Sequence, residues 1–316
     1  MGTTTDCSRS SFTLTEQSCH ILPAELNPYI IKFSRDKPKE VAEPDHDIKP
    51  HNMRGHISHL QWSKTEDIWA SNDRGRLGLF DSSGNNKKWI ETCSTSSGHF
   101  TLATVDKEGE HIYWGHNEKM FVKRDGKTKY EIETGKCEPI SIFFSDKEKL
   151  FYVGKVIDID AKISIYNMNW KKEDDIHRNE AENRNFFQYP AYLVKNINGD
   201  LCVSDNNRRV IVVDNNKKLR FKYKGFDNNG FTPYGICTDG GGHILIVDSS
   251  SRCIHIVNRE GTFIRGIKMS AHLREPRGLC IDNRGKCYVG TYGAIFVYNF
   301  SSDDTQTTTA ITASEK

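Results

Sequence analysis

The sequence predicts an all-β protein, a six-bladed β-propeller of four-stranded antiparallel blades. Two observations carry this: a 43-residue repeat in the C-terminal third and the absence of helical periodicity throughout. Segments starting at Pro190, Pro233 and Pro276 (PAYLVKNINGDLCVSDNN, PYGICTDGGGHILIVDSS and PRGLCIDNRGKCYVGTYG) agree in register without gaps. Nine residues after each proline stands a glycine, Gly199, Gly242 or Gly285. A tight hairpin needs positive φ there, and glycine adopts it at no steric cost.

Each glycine separates two short strands rich in Val, Ile, Leu, Tyr and Cys. The second strands read LCVSD, ILIVD and CYVG, third strands follow in VIVVD, CIHIVN and AIFVYNF, and fourth strands in LRFKYKGF and TFIRGI. Four strands per repeat, bounded by turn residues, is the blade pattern. Upstream the unit recurs in weaker form. IWASNDRGRLGLFD (68–81) lies over LCVSDNNRRVIVVD (201–214) without a gap, matching Ser71 to Ser204, Arg76 to Arg209 and Asp81 to Asp214. Blade starts near 58, 99, 139, 190, 233 and 276 give the count of six.

After AIFVYNF the last blade has no fourth strand of its own. YIIKFS (29–34) is the strand-like run before the first blade, and closing the ring with it would remove an open sheet edge. The expected organisation is therefore a disordered segment over 1–25, a propeller over 26–300 and a disordered tail over 301–316. The charged stretch 171–187 reads as a solvated connector between the third and fourth blades.

Composition narrows the class. A chain of 316 residues with 36% hydrophobic and 27% charged side chains is long enough to bury about three quarters of its unfolded surface. The formal net charge of +2 provides no global drive toward nucleic acid or anionic membrane. No apolar run approaches the roughly 18 residues of a spanning helix. Nine cysteines occur without a C-x-x-C pair, which argues against zinc ribbons and disulfide frameworks alike. Reduced, largely buried thiols fit a cytoplasmic protein.

Pro233-Tyr234-Gly235-Ile236-Cys237-Thr238-Asp239 with Val247-Asp248, and Pro276-Arg277-Gly278-Leu279-Cys280-Ile281-Asp282, carry a family resemblance. They resemble the NHL-repeat β-propeller, and NGDLCVSD (198–205) is most similar to the C-terminal propellers of mollusc-like invertebrate tripartite-motif (TRIM) proteins. The resemblance spans about 110 residues, from Pro190 to Phe300, and continues more weakly back to about residue 58. It implies a protein-interaction platform, a substrate adaptor related to TRIM-NHL ubiquitin ligases, or a reader of single-stranded RNA. The clustered zinc ligands of a RING or B-box do not occur in this sequence, since Cys7 and Cys19 stand alone.

The sequence lacks a G-x-S-x-G elbow, H-E-x-x-H, P-loop and EF-hand loop, so the expectation is a chain that is not an enzyme and needs no cofactor or metal. Calcium-dependent lactonases on six-bladed propellers are a distant third reading. Asp205 and Asp248 share one repeat position, each with an arginine four residues on, which suits a turn-stabilising acceptor better than a metal ligand. The loops entering each blade and those joining its second and third strands emerge on one face. They carry the candidate binding rim: Arg74, Tyr192, Asn207, Arg208, Arg209, Tyr234, Arg252, Arg277 and Tyr292, with Phe187, Tyr189 and Asn206 beside them. Aromatics beside arginines suit peptide anchoring and base stacking alike.

Residues 189–229 hold eight Lys/Arg against four Asp, yet five of the basic residues (Lys217, Lys218, Arg220, Lys222, Lys224) fall on the blade's outer strand, where lysine guards against edge pairing. A protein partner is therefore favoured over single-stranded RNA, with neither membrane nor DNA expected. Trp69 and Trp114 occupy corresponding second strands and are expected to pack between blades.

Overall fold

The computed structural model describes residues 44–311 except 64, 92–103, 106–110, 117, 125–126, 159, 180–183, 207, 227–229, 272 and 300–309. Every regular element among the described residues is a strand. In chain order these are β1 (His46–Ile48), then β2 (Ile57–Trp62), β3 (Ile68–Asn72), β4 (Arg76–Phe80) and β5 (Asn86–Glu91), which form one antiparallel sheet. A second sheet comprises β6 (Thr104–Val105), β7 (His111–His116), β8 (Lys119–Arg124) and β9 (Lys127–Glu133). The third comprises β10 (Glu138–Ser145), β11 (Leu150–Ile157), β12 (Asp160–Asn167) and β13 (Lys172–Ile176).

A small hairpin, β14 (Arg178–Asn179) and β15 (Arg184–Asn185), precedes the fourth sheet of β16 (Pro190–Lys195), β17 (Leu201–Asp205), β18 (Arg209–Val213) and β19 (Leu219–Tyr223). The fifth contains β20 (Pro233–Thr238), β21 (Ile244–Asp248), β22 (Cys253–Val257) and β23 (Phe263–Lys268). Then come β24 (Gly278–Ile281), β25 (Lys286–Gly290), β26 (Ile295–Asn299) and the short β27 (Ala310–Ile311).

Five sheets are thus built mainly from consecutive strands, whereas the last is composite, in the order β1-β26-β25-β24. Its fourth strand comes from upstream of every other one, with His46 opposite Val297 and Ile48 opposite Ile295. The run 29–34 lies outside the described residues, as does the segment 1–25. From the C-terminal tail, β27 pairs with β23 at the outer edge of the fifth sheet.

Apolar clusters bind each sheet to the next in a cycle. Trp69, Leu77 and Ile90 meet Phe121 of the second sheet. Met120 and Val122 meet Ile142, Phe144 and Phe151 of the third. Ile163 and Ile176 pack with Val203 and Ile211, Val210 and Val212 with Ile236 and Ile246, and Leu245 and Val247 with Leu279 and Val289. Ile57, Leu60 and Ile68 of the first sheet share a cluster with Ile48, Cys280, Tyr288, Ile295 and Val297 of the composite one. The first strands also lie side by side, β10 against β16, β16 against β20, β20 against β24 and β24 against β2. This is the β-propeller arrangement.

Local signals explain the hairpins. Gly199, Gly242 and Gly285 have φ of 87°, 84° and 84°, as the repeat requires. An Asp or Asn opens each of several turns by accepting backbone N–H groups two and four residues on: Asp81 from Ser83 and Asn85, Asp214 from Asn216 and Lys218, Asp282 from Arg284 and Lys286. That is why Asp81 and Asp214 align.

The stretch 171–187 is not a mere connector. Its first part is β13, an outer strand whose Asp175 is held by Lys162, Lys172 and Ser164, and Phe186 and Phe187 at its end are buried. Outer strands need little apolar content, so charge alone did not mark it as a loop. Trp69 is buried in its cluster as expected, while the Trp114 side chain lies outside the described residues.

Ile48 is 1% exposed and is the inward-facing apolar residue of β1. Ile48→Ala is expected to cost about 2–5 kcal/mol in urea unfolding. A loss under about 0.5 kcal/mol, the size of an ordinary surface change, would mean that β1 does not hold the composite sheet.

Candidate functional site

Antiparallel order sends the loops entering each sheet, and those joining its second and third strands, to one end of the propeller. Buried acceptors fasten these two loop sets together. Asp205 at the end of β17 is 0% exposed, and its carboxylate accepts the N–H of Gln188 at 3.1 Å, the N–H of Tyr189 at 2.5 Å and the Arg209 Nε–H at 3.0 Å. Arg209 also donates to the Phe186 carbonyl at 3.3 Å. In the fifth sheet Asp248 accepts the Thr232 N–H, the Ser250 N–H and hydroxyl, and the Ser251 hydroxyl. Arg252, by contrast, donates to the Ala271 carbonyl. In the first sheet Asn72 takes the position, accepting from Arg74 and Arg76 N–H and donating to the Arg54 carbonyl. The repeated carboxylates therefore act as loop clasps, their oxygens occupied by protein donors.

Around these clasps an arc of side chains crosses four sheets. Tyr192 of β16 is buried, its ring meeting Tyr234 of β20 edge-on at 6.2 Å, and burial pushes its hydroxyl pKa up. The Arg277 guanidinium lies over the Tyr234 ring at 5.4 Å. It also pairs with Glu275 at 3.0 Å and Asp73 at 3.9 Å, and its Nε has no hydrogen-bond partner among the described residues. Glu275 reaches His56 Nε2 at 3.3 Å, and the His56 ring meets Tyr292 edge-on at 5.1 Å. Tyr189 and Tyr292 stand out at 42% and 54% exposed.

Of the residues singled out in the sequence, Tyr192, Tyr234, Arg277 and Tyr292 join this arc. Arg74, Arg208 and Arg252 sit exposed in the loops between second and third strands, and Asn206 is exposed beside them. Arg209 is committed to Asp205, Phe187 is buried, and Asn207 lies outside the described residues. His56, Asp73 and Glu275 were missed. Asp73 adjoins Arg74, and Glu275 precedes Pro276-Arg277, so the signal was their place in the same loops, without any residue-type pattern.

No family model and no curated protein matches the chain. Solved structures do match. A streptogramin B lyase structure aligns at 14% identity over 83% of this chain and 88% of that one, with a TM-score of 0.59. A catalytically inactive virginiamycin B lyase variant from Staphylococcus aureus with quinupristin aligns at 12% identity over 82% and 89%, with a TM-score of 0.60. A protein of unknown function from Bacteroides caccae aligns at 15% identity over 75% and 82%, with a TM-score of 0.56.

The chain has a β-propeller fold. At these identities the likeness speaks for the fold alone. It nevertheless corrects one expectation, that missing enzyme motifs mark a chain that is not an enzyme, because two of the similar structures are of lyases. A propeller can assemble reacting groups from separate blades, and such groups leave no contiguous motif.

Asp205→Ala would leave Arg209 and two loop N–H groups without their acceptor. The expected cost is about 3–5 kcal/mol in denaturant unfolding, with a chelator leaving the transition of the wild type in place. His59 on β2 supplies a pH dependence. Burial lowers its pKa from 6.5 to about 4 against a smaller opposing effect of Gln61. The unfolded chain then binds a proton that the folded one refuses, so stability is full above pH 6.5, falls as pH drops toward 4 and levels off below. Thermal melts of the wild type and His59→Gln across this window should diverge on the acid side.

Proposed function

We propose that the chain is a six-bladed recognition propeller, its ring completed by β1, that binds a protein partner through the loop-face arc. The observation that carries this reading is the pairing of exposed Tyr189 and Tyr292 with an arginine stacked on tyrosine between them. Binding hot spots at protein interfaces are enriched in tyrosine and arginine, along with tryptophan. Charge supports a protein over single-stranded RNA. Arg277 is balanced by Glu275 and Asp73 and Arg209 by Asp205, so the two rim arginines nearest the tyrosines are already neutralised by carboxylates. Five of the eight basic residues in 189–229 lie on or beside β19, an outer strand, where Arg220 pairs with Asp200 and Lys217 with Asp174. A cytoplasmic setting, and the role of adaptor to a ubiquitin ligase, belong to the same reading. The six described cysteines, all free, support the first, and the NHL-like repeats support the second.

Affinity capture from the source cells with and without ribonuclease tests the partner class. Capture is expected to resist ribonuclease, and Tyr292→Ala or Arg277→Ala should weaken binding of the captured protein at least about ten-fold, the loss of a hot spot. The RNA reading predicts instead that a mixed single-stranded RNA pool binds at moderate salt, with a slope of about 0.7 per neutralised phosphate, and that Arg208→Ala weakens it. Arg208 is the better probe because Arg209 also supports the fold. That second outcome would overturn the proposal.

A further inference from the structure

The opposite end of the propeller carries the other loops, which join first to second and third to fourth strands. Between the third and fourth sheets these loops border an open cleft of about 590 Å³, within the size range of small-molecule sites. Its lining holds three lysines (Lys147, Lys195, Lys217) and three acids (Glu148, Glu173, Asp174), so it offers no net charge to a polyanion or polycation. The apolar wall consists of Leu150, Tyr152, Ile165 and Ile197.

One charged pair is built into the cleft. Lys195, the last residue of β16, is 9% exposed; its ammonium donates to Glu148 at 2.5 Å, approaches Asn215 Oδ1 at 3.4 Å and lies 5.1 Å from the Tyr152 ring centre. Glu148 also accepts the Tyr152 hydroxyl at 2.7 Å. Placing a lysine here costs desolvation that an apolar residue would avoid. The sheet-to-sheet packing does not require it, since Leu201, Val203, Ile211 and Val213 meet the third sheet without it. An ammonium has three donors and a carboxylate about four acceptor positions; Lys195 uses two on Glu148 and Asn215, and Glu148 accepts from Lys195, Tyr152 and Ser145, so each keeps one position for a ligand.

We propose that this cleft binds a small zwitterion of the α-amino-acid type with an apolar side chain. Its carboxylate meets Lys195, its ammonium meets Glu148, and its side chain lies on the wall of Leu150, Tyr152, Ile165 and Ile197. Adjacent opposite charges on the protein match the adjacent charges of an α-amino acid, and the balanced lining disfavours ligands with one charge alone. The site is separate from the loop-face arc and does not depend on its role.

Calorimetric titration of the full chain with L-phenylalanine, L-phenylalaninamide (no carboxylate) and 3-phenylpropionate (no ammonium) tests this without any variant. Phenylalanine is expected to bind, with each one-headed analogue at least about ten-fold weaker, the loss of one charged hydrogen bond. Glu148→Gln should remove the advantage over 3-phenylpropionate and Lys195→Met that over the amide, each checked for an intact thermal transition. Tyr292→Ala, at the opposite end of the propeller, should leave phenylalanine binding unchanged. Equal binding of the three compounds, absence of heat with phenylalanine at millimolar concentration, or loss of binding in Tyr292→Ala would overturn the proposal.

Discussion

Face-to-face burial of narrow sheets is the constraint on which the rest of this structure depends. A sheet of four short strands is marginal alone, and here both faces of its central strands are covered by neighbours. That is why β3, β17, β21 and β22 are buried at every position, with no alternation of inside and outside. A chain of such sheets would leave two raw faces at its ends. Packing Ile57, Leu60 and Ile68 against Cys280, Tyr288 and Val297 covers both of them at once. The pairing of β1 with β26 then ties the start of the described chain to its last sheet.

Close approach of the sheets also dictates small residues at particular places. A Cβ on Gly290 would fall 2.5 Å from the Ile57 carbonyl, and one on Gly235 would fall 2.4 Å from the Arg277 carbonyl. These glycines are required by contact with the next blade, where backbone meets backbone. The hairpin glycines serve another purpose, since Gly199 and Gly242 provide the left-handed turn. Two demands thus select the same residue type within one repeat.

Polar groups that the packing buries are used to hold loops. Asp205 and Asp248 bind the loop entering their own sheet to the loop after its second strand, so both loops keep fixed places at that end of the propeller. Fixed loops let residues from four sheets form one arc of aromatic and ionic contacts from Tyr192 to Tyr292. At the other end, the same hairpin logic leaves room between the third and fourth sheets, and the Lys195–Glu148 pair occupies it. One scaffold therefore presents two chemically different ends, the first aromatic and exposed, the second an open, charge-balanced cleft.

The repeat, the strand order within each blade and the clasp role of the repeated aspartates were legible in the sequence, because each rests on residues within about 45 positions of one another. The Pro, Gly and Val-Asp spacing records local turn geometry, and turn geometry is a local property. The strand that completes the last sheet was not legible. His46–Ile48 carries one apolar residue in three, and only its pairing with β26, some 250 positions away, makes it a strand. Nor did the sequence separate Tyr192, which is buried, from Tyr292, which is exposed, although both sit in loop-face positions. His56, Asp73 and Glu275 entered the arc only because the first sheet packs against the composite one. Sequence patterns report what a residue does for its own hairpin, and contacts between distant blades leave no period to read.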